Sequence, residues 1–193
     1  MYISITGLAH DTVSAHLDAG SLAVDATAGN GHDTLFLARQ VNPGGRVFAF
    51  DIQPEALHSA RTRIENAGLQ DLVTWIQTGH EEMVQQIPSA SHGSVDAILF
   101  NLGYLPGGDK ARTTQTKSTL AALDASLQLL RPGGMLSVAA YPGHPEGARE
   151  CKAVEGWITQ SRQMQLERYC QASPDPVSPR LWIMLKGKES PHP

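Results

Sequence analysis

Leu22-Ala23-Val24-Asp25-Ala26-Thr27-Ala28-Gly29-Asn30-Gly31-His32-Asp33-Thr34-Leu35 is the stretch that decides how this chain is read. Ser21 to Val24 is a short apolar run of the kind that forms a strand buried on both faces. An acid and a series of small residues then turn the chain. From about His32 the run Leu35, Phe36, Leu37, Ala38 suits a helix packed back on that strand and reaching about Val41. Gly29 and Gly31 can take positive φ and bring bare backbone against a ligand. The helix start beyond them offers unpaired N–H groups to a polar or anionic group. The stretch reads as a nucleotide-type binding turn.

A Gly-x-Gly after a strand is weak alone, since tight turns carry glycines for steric reasons. Its partner signal is Arg46-Val47-Phe48-Ala49-Phe50-Asp51, a second apolar strand whose closing acid stands 20 positions after Gly31. An acid there ends the neighbouring strand, where it can bind both hydroxyls of a ribose. The turn lacks the third glycine of a dinucleotide fingerprint (Thr34 stands near its place), and no phosphate-binding lysine follows. The expected ligand therefore has ribose and adenine but no pyrophosphate, which points to S-adenosylmethionine and away from NAD.

At 193 residues the chain is expected to be one domain, residues 1–193, with an N-terminal helix within 1–20 and a frayed tail at 187–193. Apolar content of 41% and charged content of 18% are those of a soluble globular protein. A net charge of −4 carries no global signal for nucleic acid, so any such binding must rest on a local patch. Cys151 and Cys170 make neither a disulfide framework nor a metal site and suit a reducing, cytoplasmic setting. The 8 histidines and 2 cysteines show no ligand spacing, so no metal is expected. No run approaches a membrane span, and His10 and Asp11 interrupt the N-terminal apolar residues, so neither membrane nor signal peptide is expected.

In chain order, Thr6 to Ala19 reads as an amphipathic helix capped by Asp11 and stopped by Gly20, with His10 and His16 as surface or packing residues. After the second strand, Pro54 opens a helix over Glu55 to Ala67, with Gly68 at its end. Val73 to Gln77 is a third strand, followed by Gly79-His80-Glu81-Glu82. Val95 to Phe100 is a fourth and runs into Asn101-Leu-Gly-Tyr-Leu-Pro-Gly-Gly-Asp-Lys110. A helix over about Thr116 to Leu130, a Pro132-Gly133-Gly134 turn and a fifth strand, Met135 to Ala140, come next. The chain continues through Tyr141-Pro-Gly-His144, a helix from about Arg149 to Arg162, and strand candidates at Met164 to Tyr169 and Leu181 to Leu185. Trp75, Trp157 and Trp182 fall in strand or helix patterns and are expected in the core. The alternation predicts an α/β, doubly wound, mostly parallel sheet whose last strand is antiparallel. The polar motifs after strands one, two, four and five then gather at one sheet edge, where ligands of such folds bind.

With these segments assembled, the chain resembles the class I S-adenosylmethionine-dependent methyltransferases, a single-domain Rossmann-like fold with a seven-stranded sheet. Within them it is similar to the small family labelled rRNA methylases and associated with tRNA wobble-uridine modification. The carrying segments are Asp25 to Thr34, Asp51-Ile52-Gln53, His80-Glu81, Phe100 to Lys110 and Tyr141 to His144. The resemblance implies N-methylation of 5-aminomethyl-2-thiouridine at the wobble position, with the tRNA anticodon arm as partner. It leaves the oligomeric state open, a homodimer included. An rRNA or small-molecule methyltransferase, and a non-catalytic cofactor-binding module, stand as alternatives.

The implied cofactor set is Asp25, Gly29, Asn30, Gly31, His32, Asp33, Asp51, Gln53, His80, Glu81 and Asn101. Asn30 and His32 would line the methionine part or shape the turn. Asp33 would contact the cofactor or stabilise a helix start. Asp25 would fix the turn through backbone N–H groups, Asp51 would hold the ribose, Gln53 would lie beside the adenosine, and His80 and Glu81 near adenine. The implied catalytic set is Asn101, Tyr104, Asp109 and His144. Asn101 would stand at the methyl-transfer point and Tyr104 would offer a flat face to a base. Asp109 or His144 would accept the proton, or else cap a loop and bond backbone, respectively. Lys110, Arg112 and Lys117, with Arg149 and Lys152, could meet phosphates or form a solvated face.

Overall fold

Seven strands pair into one sheet: β1 (Leu22–Asp25), β2 (Arg46–Phe50), β3 (Val73–Ile76), β4 (Val95–Asn101), β5 (Leu130–Ala140), β6 (Met164–Gln171) and β7 (Arg180–Lys186). Their order is β3-β2-β1-β4-β5-β7-β6 in a computed structural model that describes residues 4–103 and 114–187. The first five run parallel, and β7 lies antiparallel between β5 and β6. The mostly parallel sheet with an antiparallel last strand is the architecture the alternation predicts.

Helices α1 (Ile5–Ser14), α2 (His32–Val41), α3 (Pro54–Asn66), α4 (Met83–Gln86), α5 (Thr116–Leu129) and α6 (Pro145–Gln160) cover both faces. Successive strand residues point to opposite sides. Ala23, Val47, Ala97 and Leu99 pack with Val13, Leu37 and Ile64 of α1, α2 and α3. Their chain neighbours Val24, Phe48, Ile98 and Phe100 pack with Met83, Leu123 and Val154 of α4, α5 and α6. Burial on both sides is why the strands read as unbroken apolar runs. The strand order reverses between β1 and β4, so their carboxyl ends flank the crevice where such sheets bind ligands.

Element ends follow capping chemistry. Gly68, at φ 69°, closes α3 with its N–H on the carbonyl of Glu65 and that of Leu69 on Ile64, the paired bonds of a left-handed helix stop. Two helix starts differ from the sequence reading. Ser4, not Asp11, caps α1, its Oγ accepting from the N–H of Gly7 at 3.2 Å. Capping at Ser4 lets Ile5, Ala9 and Val13 bury as one stripe, and the helix ends at Ser14 rather than Ala19. Helix α6 starts at Pro145 rather than Arg149, with His144 as its cap. Pro132 to Gly134 belong to β5, whose pairing with β4 shifts between Val95 and Ala97. Of the tryptophans only Trp182 is buried; Trp75 lies beneath Arg61, and Trp157 donates to Asp124 at 2.8 Å. Among the described residues no helix is long and apolar enough to cross a membrane.

Candidate active site

The turn after β1 is tied to the end of every strand around it. The N–H of Ala26 donates to the carbonyl of Leu99 on β4, and that of Ala28 to Phe50 on β2. Asp51 Oδ2 accepts from the N–H of Gly29 and its Oδ1 from the N–H of Gln53, both at 2.8 Å. The N–H of Asn101 donates to Thr27 Oγ1 at 2.8 Å. The carbonyl of Ala26 lies 3.3 Å from His80 Nδ1.

Asp25 is fully buried inside this turn, accepting from the N–H of Thr27 at 3.1 Å and from Thr34 Oγ1 at 2.5 Å. The hydroxyl near the missing third glycine therefore closes the turn onto the acid. Burial, followed by the nearby Asp33 charge, pushes the Asp25 carboxyl up to about 7. Gly29 and Gly31 do take positive φ, 49° and 78°. The bare side of Gly31 faces α3, however, where an added Cβ would stand 2.7 Å from Ala60 Cα. Close packing of α2 against α3 thus demands that glycine on its own.

Arg63, on the last turn of α3, joins the site although nothing in its own stretch of sequence marks it. Its Nε donates to the carbonyl of Asn30 at 2.8 Å and its Nη2 meets His32 Nε2 at 3.2 Å. A guanidinium cannot accept, so Nε2 of His32 is the acceptor of that pair. Ile52, in the Asp51-Ile52-Gln53 segment, is 61% exposed directly after the acid.

At the end of β4 the side chain of Asn101 reaches Asp33, Nδ2 to Oδ2 at 3.2 Å. The other oxygen of Asp33 accepts from His10 Nε2 of α1 at 2.7 Å. A carboxylate only accepts, so Nδ2 of Asn101 must face it and Oδ1 is left as the amide's acceptor. The His10 ring stacks on Phe36, centroids 3.9 Å apart and planes within 3°. Thr6, His10, Asp33, Asn101 and Ser137 line a cleft there, between α1 and the ends of β4 and β5.

His80 is buried edge-on to Phe100, and burial pulls its pKa down. Its Nδ1–H serves the Ala26 carbonyl, while Nε2 has no hydrogen-bond partner among the described residues. Glu81 folds its carboxylate back over Gly79, where any side chain would collide with it.

His144 caps α6, its Nδ1 accepting from the N–H of Gly147 at 3.1 Å, the backbone bond given above as the alternative to proton acceptance. Glu150, which sequence reading passed over, is 2% exposed and accepts from Thr114 Oγ1 at 2.7 Å and Thr119 Oγ1 at 2.6 Å. Thr114 Oγ1 in turn accepts from the N–H of Gly103 at 3.0 Å. Burial raises the Glu150 pKa against those hydrogen bonds. Lys117 and Lys152 are exposed, and Arg149 pairs with Glu146 at 2.9 Å. Tyr104, Asp109, Lys110 and Arg112 lie outside the described residues.

The residues present fit S-adenosylmethionine. Asp51 keeps a second lone pair on each oxygen for ribose hydroxyls, Ile52 offers an apolar face for a base, and His80 Nε2 is a buried acceptor lacking a donor. Asn101 stands across the crevice at the end of the neighbouring strand.

Comparison with known proteins agrees. The family model described as Putative rRNA methylase matches residues 47–185. A chloroplastic tRNA (mnm(5)s(2)U34)-methyltransferase of Arabidopsis thaliana is 36% identical over 198 aligned residues, 94% of this chain and 69% of that protein. A solved structure of an rRNA methylase of the same description from Clostridium thermocellum superimposes with a TM-score of 0.89 at 33% identity, covering 96% of this chain and 99% of that one. A Streptococcus mutans structure described as a methyltransferase, in complex with SAH, gives 0.83 at 32% identity, with coverages of 96% and 99%. The extent of these matches and the geometry of the crevice lead to one conclusion: the chain belongs to the rRNA methylase family of S-adenosylmethionine-dependent methyltransferases.

Proposed function

We propose that this methyltransferase acts on tRNA, methylating the amino nitrogen of 5-aminomethyl-2-thiouridine at the wobble position, with the anticodon arm as its partner and the cytoplasm as its setting. The observation that carries the reading is the Asn101 amide, whose N–H side is committed to Asp33 and whose Oδ1 is left to receive an N–H. The name of the Arabidopsis relative supports the same substrate. When bound, the cofactor would supply an electrophilic methyl, its C–S bond breaking as the C–N bond forms, and the proton released by the amine would pass to Asp109 or His144, the acceptors assigned above, or to water.

The residues of this chain do the rest. Asp51 and Ile52 hold the adenosine, and the Asp25–Thr34 bond keeps the turn closed beneath the methionine part. Asn101 orients a neutral amine within about 3 Å of the methyl. The base stacks on an aromatic face, as unpaired RNA bases do, and Tyr104 is the residue assigned to it. Lys110, Arg112 and Lys117 meet phosphates, each adding just under one unit to the salt dependence of binding.

Mass spectrometry of wobble nucleosides from a deletion strain tests the reading. Loss of the methylated nucleoside with gain of its unmethylated precursor is expected. An unchanged wobble profile sinks it, and labelled-methyl transfer to rRNA or to small amines in place of tRNA would redirect it to those substrates.

A further inference from the structure

His10 has no role in the stripe that seats α1. Ile5, Ala9 and Val13 bury that helix against the sheet, and His10 lies one residue off the stripe, 25% exposed, at the cleft beside Asn101. Its ring is nonetheless held on two sides, by the Phe36 stack and by the 2.7 Å bond to Asp33. Asp33 is 8% exposed and divides its oxygens, one to His10 and one to Asn101. Three elements distant in sequence thus form one line: α1 holds the first turn of α2, and that turn holds the end of β4.

We propose that His10 is a positioning residue for methyl transfer, acting through Asp33 to fix the rotamer of the Asn101 amide so that Oδ1 faces the amine. The inference rests on the reading of Asn101 as the group that orients the substrate amine. Without His10 the Asp33 carboxylate keeps only the longer, 3.2 Å bond and can rotate about χ1 and χ2. Asn101 then loses the fixed acceptor that sorts its amide nitrogen from its amide oxygen. Because His10 Nε2 donates to a carboxylate, a side chain with an N–H at the same reach can replace it. Glutamine has one; alanine does not.

The experiment compares His10→Ala and His10→Gln. Turnover of unmethylated tRNA and cofactor Kd by calorimetry are measured, together with the side-chain amide NMR signals of the apoprotein. The Asn101 pair is assigned by its loss in Asn101→Asp. His10→Ala should lower kcat about tenfold, as misplacement at a reacting centre does, while cofactor Kd stays within about twofold. His10→Gln should return kcat to within about threefold of wild type. The Asn101 signals should shift in the alanine variant and recover in the glutamine one. Unchanged kcat in His10→Ala, a loss that glutamine does not rescue, or Asn101 signals indifferent to both variants would each overturn the proposal. Failure of the wild type to methylate wobble uridine would instead strike the function proposed above, and the amide signals would still decide the role of His10.

Discussion

The two banks of the crevice are held by different means. On the β1–β2 bank the acids serve the turn itself: Asp25 accepts from residues two and nine positions on, and Asp51 accepts the N–H of Gly29 and Gln53. On the β4–β5 bank the polar groups are positioned by helices that arrive from elsewhere. His10 of α1 reaches Asn101 through Asp33, and Glu150 of α6 gathers Thr119 of α5 and Thr114, which holds Gly103. The first bank takes one clamp from a helix, Arg63 and Ala60 of α3 against Asn30 and Gly31, but its acids are bound within the turn. A bank built on helix contacts is exposed to every change in how the helices pack. The difference suits a two-substrate enzyme in which the small cofactor needs a fixed seat and the larger acceptor meets an adjustable one.

The sharpest way to break the comparison is to remove one group from each bank. Asn101→Ala should lower turnover by about a hundredfold, the order expected when a reacting group is misoriented. Its cofactor affinity should stay near normal if the cofactor is held chiefly by Asp51 and the turn after β1, as proposed above. A parallel loss of cofactor binding by calorimetry would mean that the banks are one unit. Asp51→Ala should do the reverse. It removes a charge-assisted acceptor and leaves the N–H groups of Gly29 and Gln53 without it, and so weakens cofactor binding about ten- to a hundredfold. Full affinity in a folded Asp51→Ala would remove the ribose from β2.

A smaller effect reads the acid of the first bank by pH. The Asp25 carboxyl is raised on folding from 3.8 to about 7, so the folded chain binds a proton that the unfolded chain has released. Stability therefore falls as pH rises across that window and is level with respect to this group above it. Asp25→Asn should flatten the fall between about pH 4 and 7 in thermal melts. A wild-type profile that rises through the same window would contradict the buried protonated acid. The smallest effect concerns the anchor of the adjustable bank. Ser4→Ala removes the α1 cap and should cost about 1 kcal/mol. A chemical-denaturation series reads it, and no change there would mean that packing of Ile5, Ala9 and Val13 alone seats the helix.

What the sequence could disclose was what lies close together in it. The Leu22–Asp25 strand, the glycine turn and the acid closing the next apolar run carry their meaning within about thirty residues, because strand burial and helix capping are local patterns. The helix starts at Ser4 and His144 are not legible in the sequence because several residues nearby could serve as caps, and burial of an apolar stripe chooses among them. Only the tertiary structure could join His10 to Asp33 across 23 positions, Asn101 to Asp33 across 68, or Glu150 to Thr119 across 31. It could also show that the bare side of Gly31 is taken up by Ala60 of α3. None of these has a periodicity or a spacing to betray it. They follow from which faces of α1, α3, α5 and α6 meet the sheet, and that is fixed by packing of the whole core rather than by any one stretch of chain.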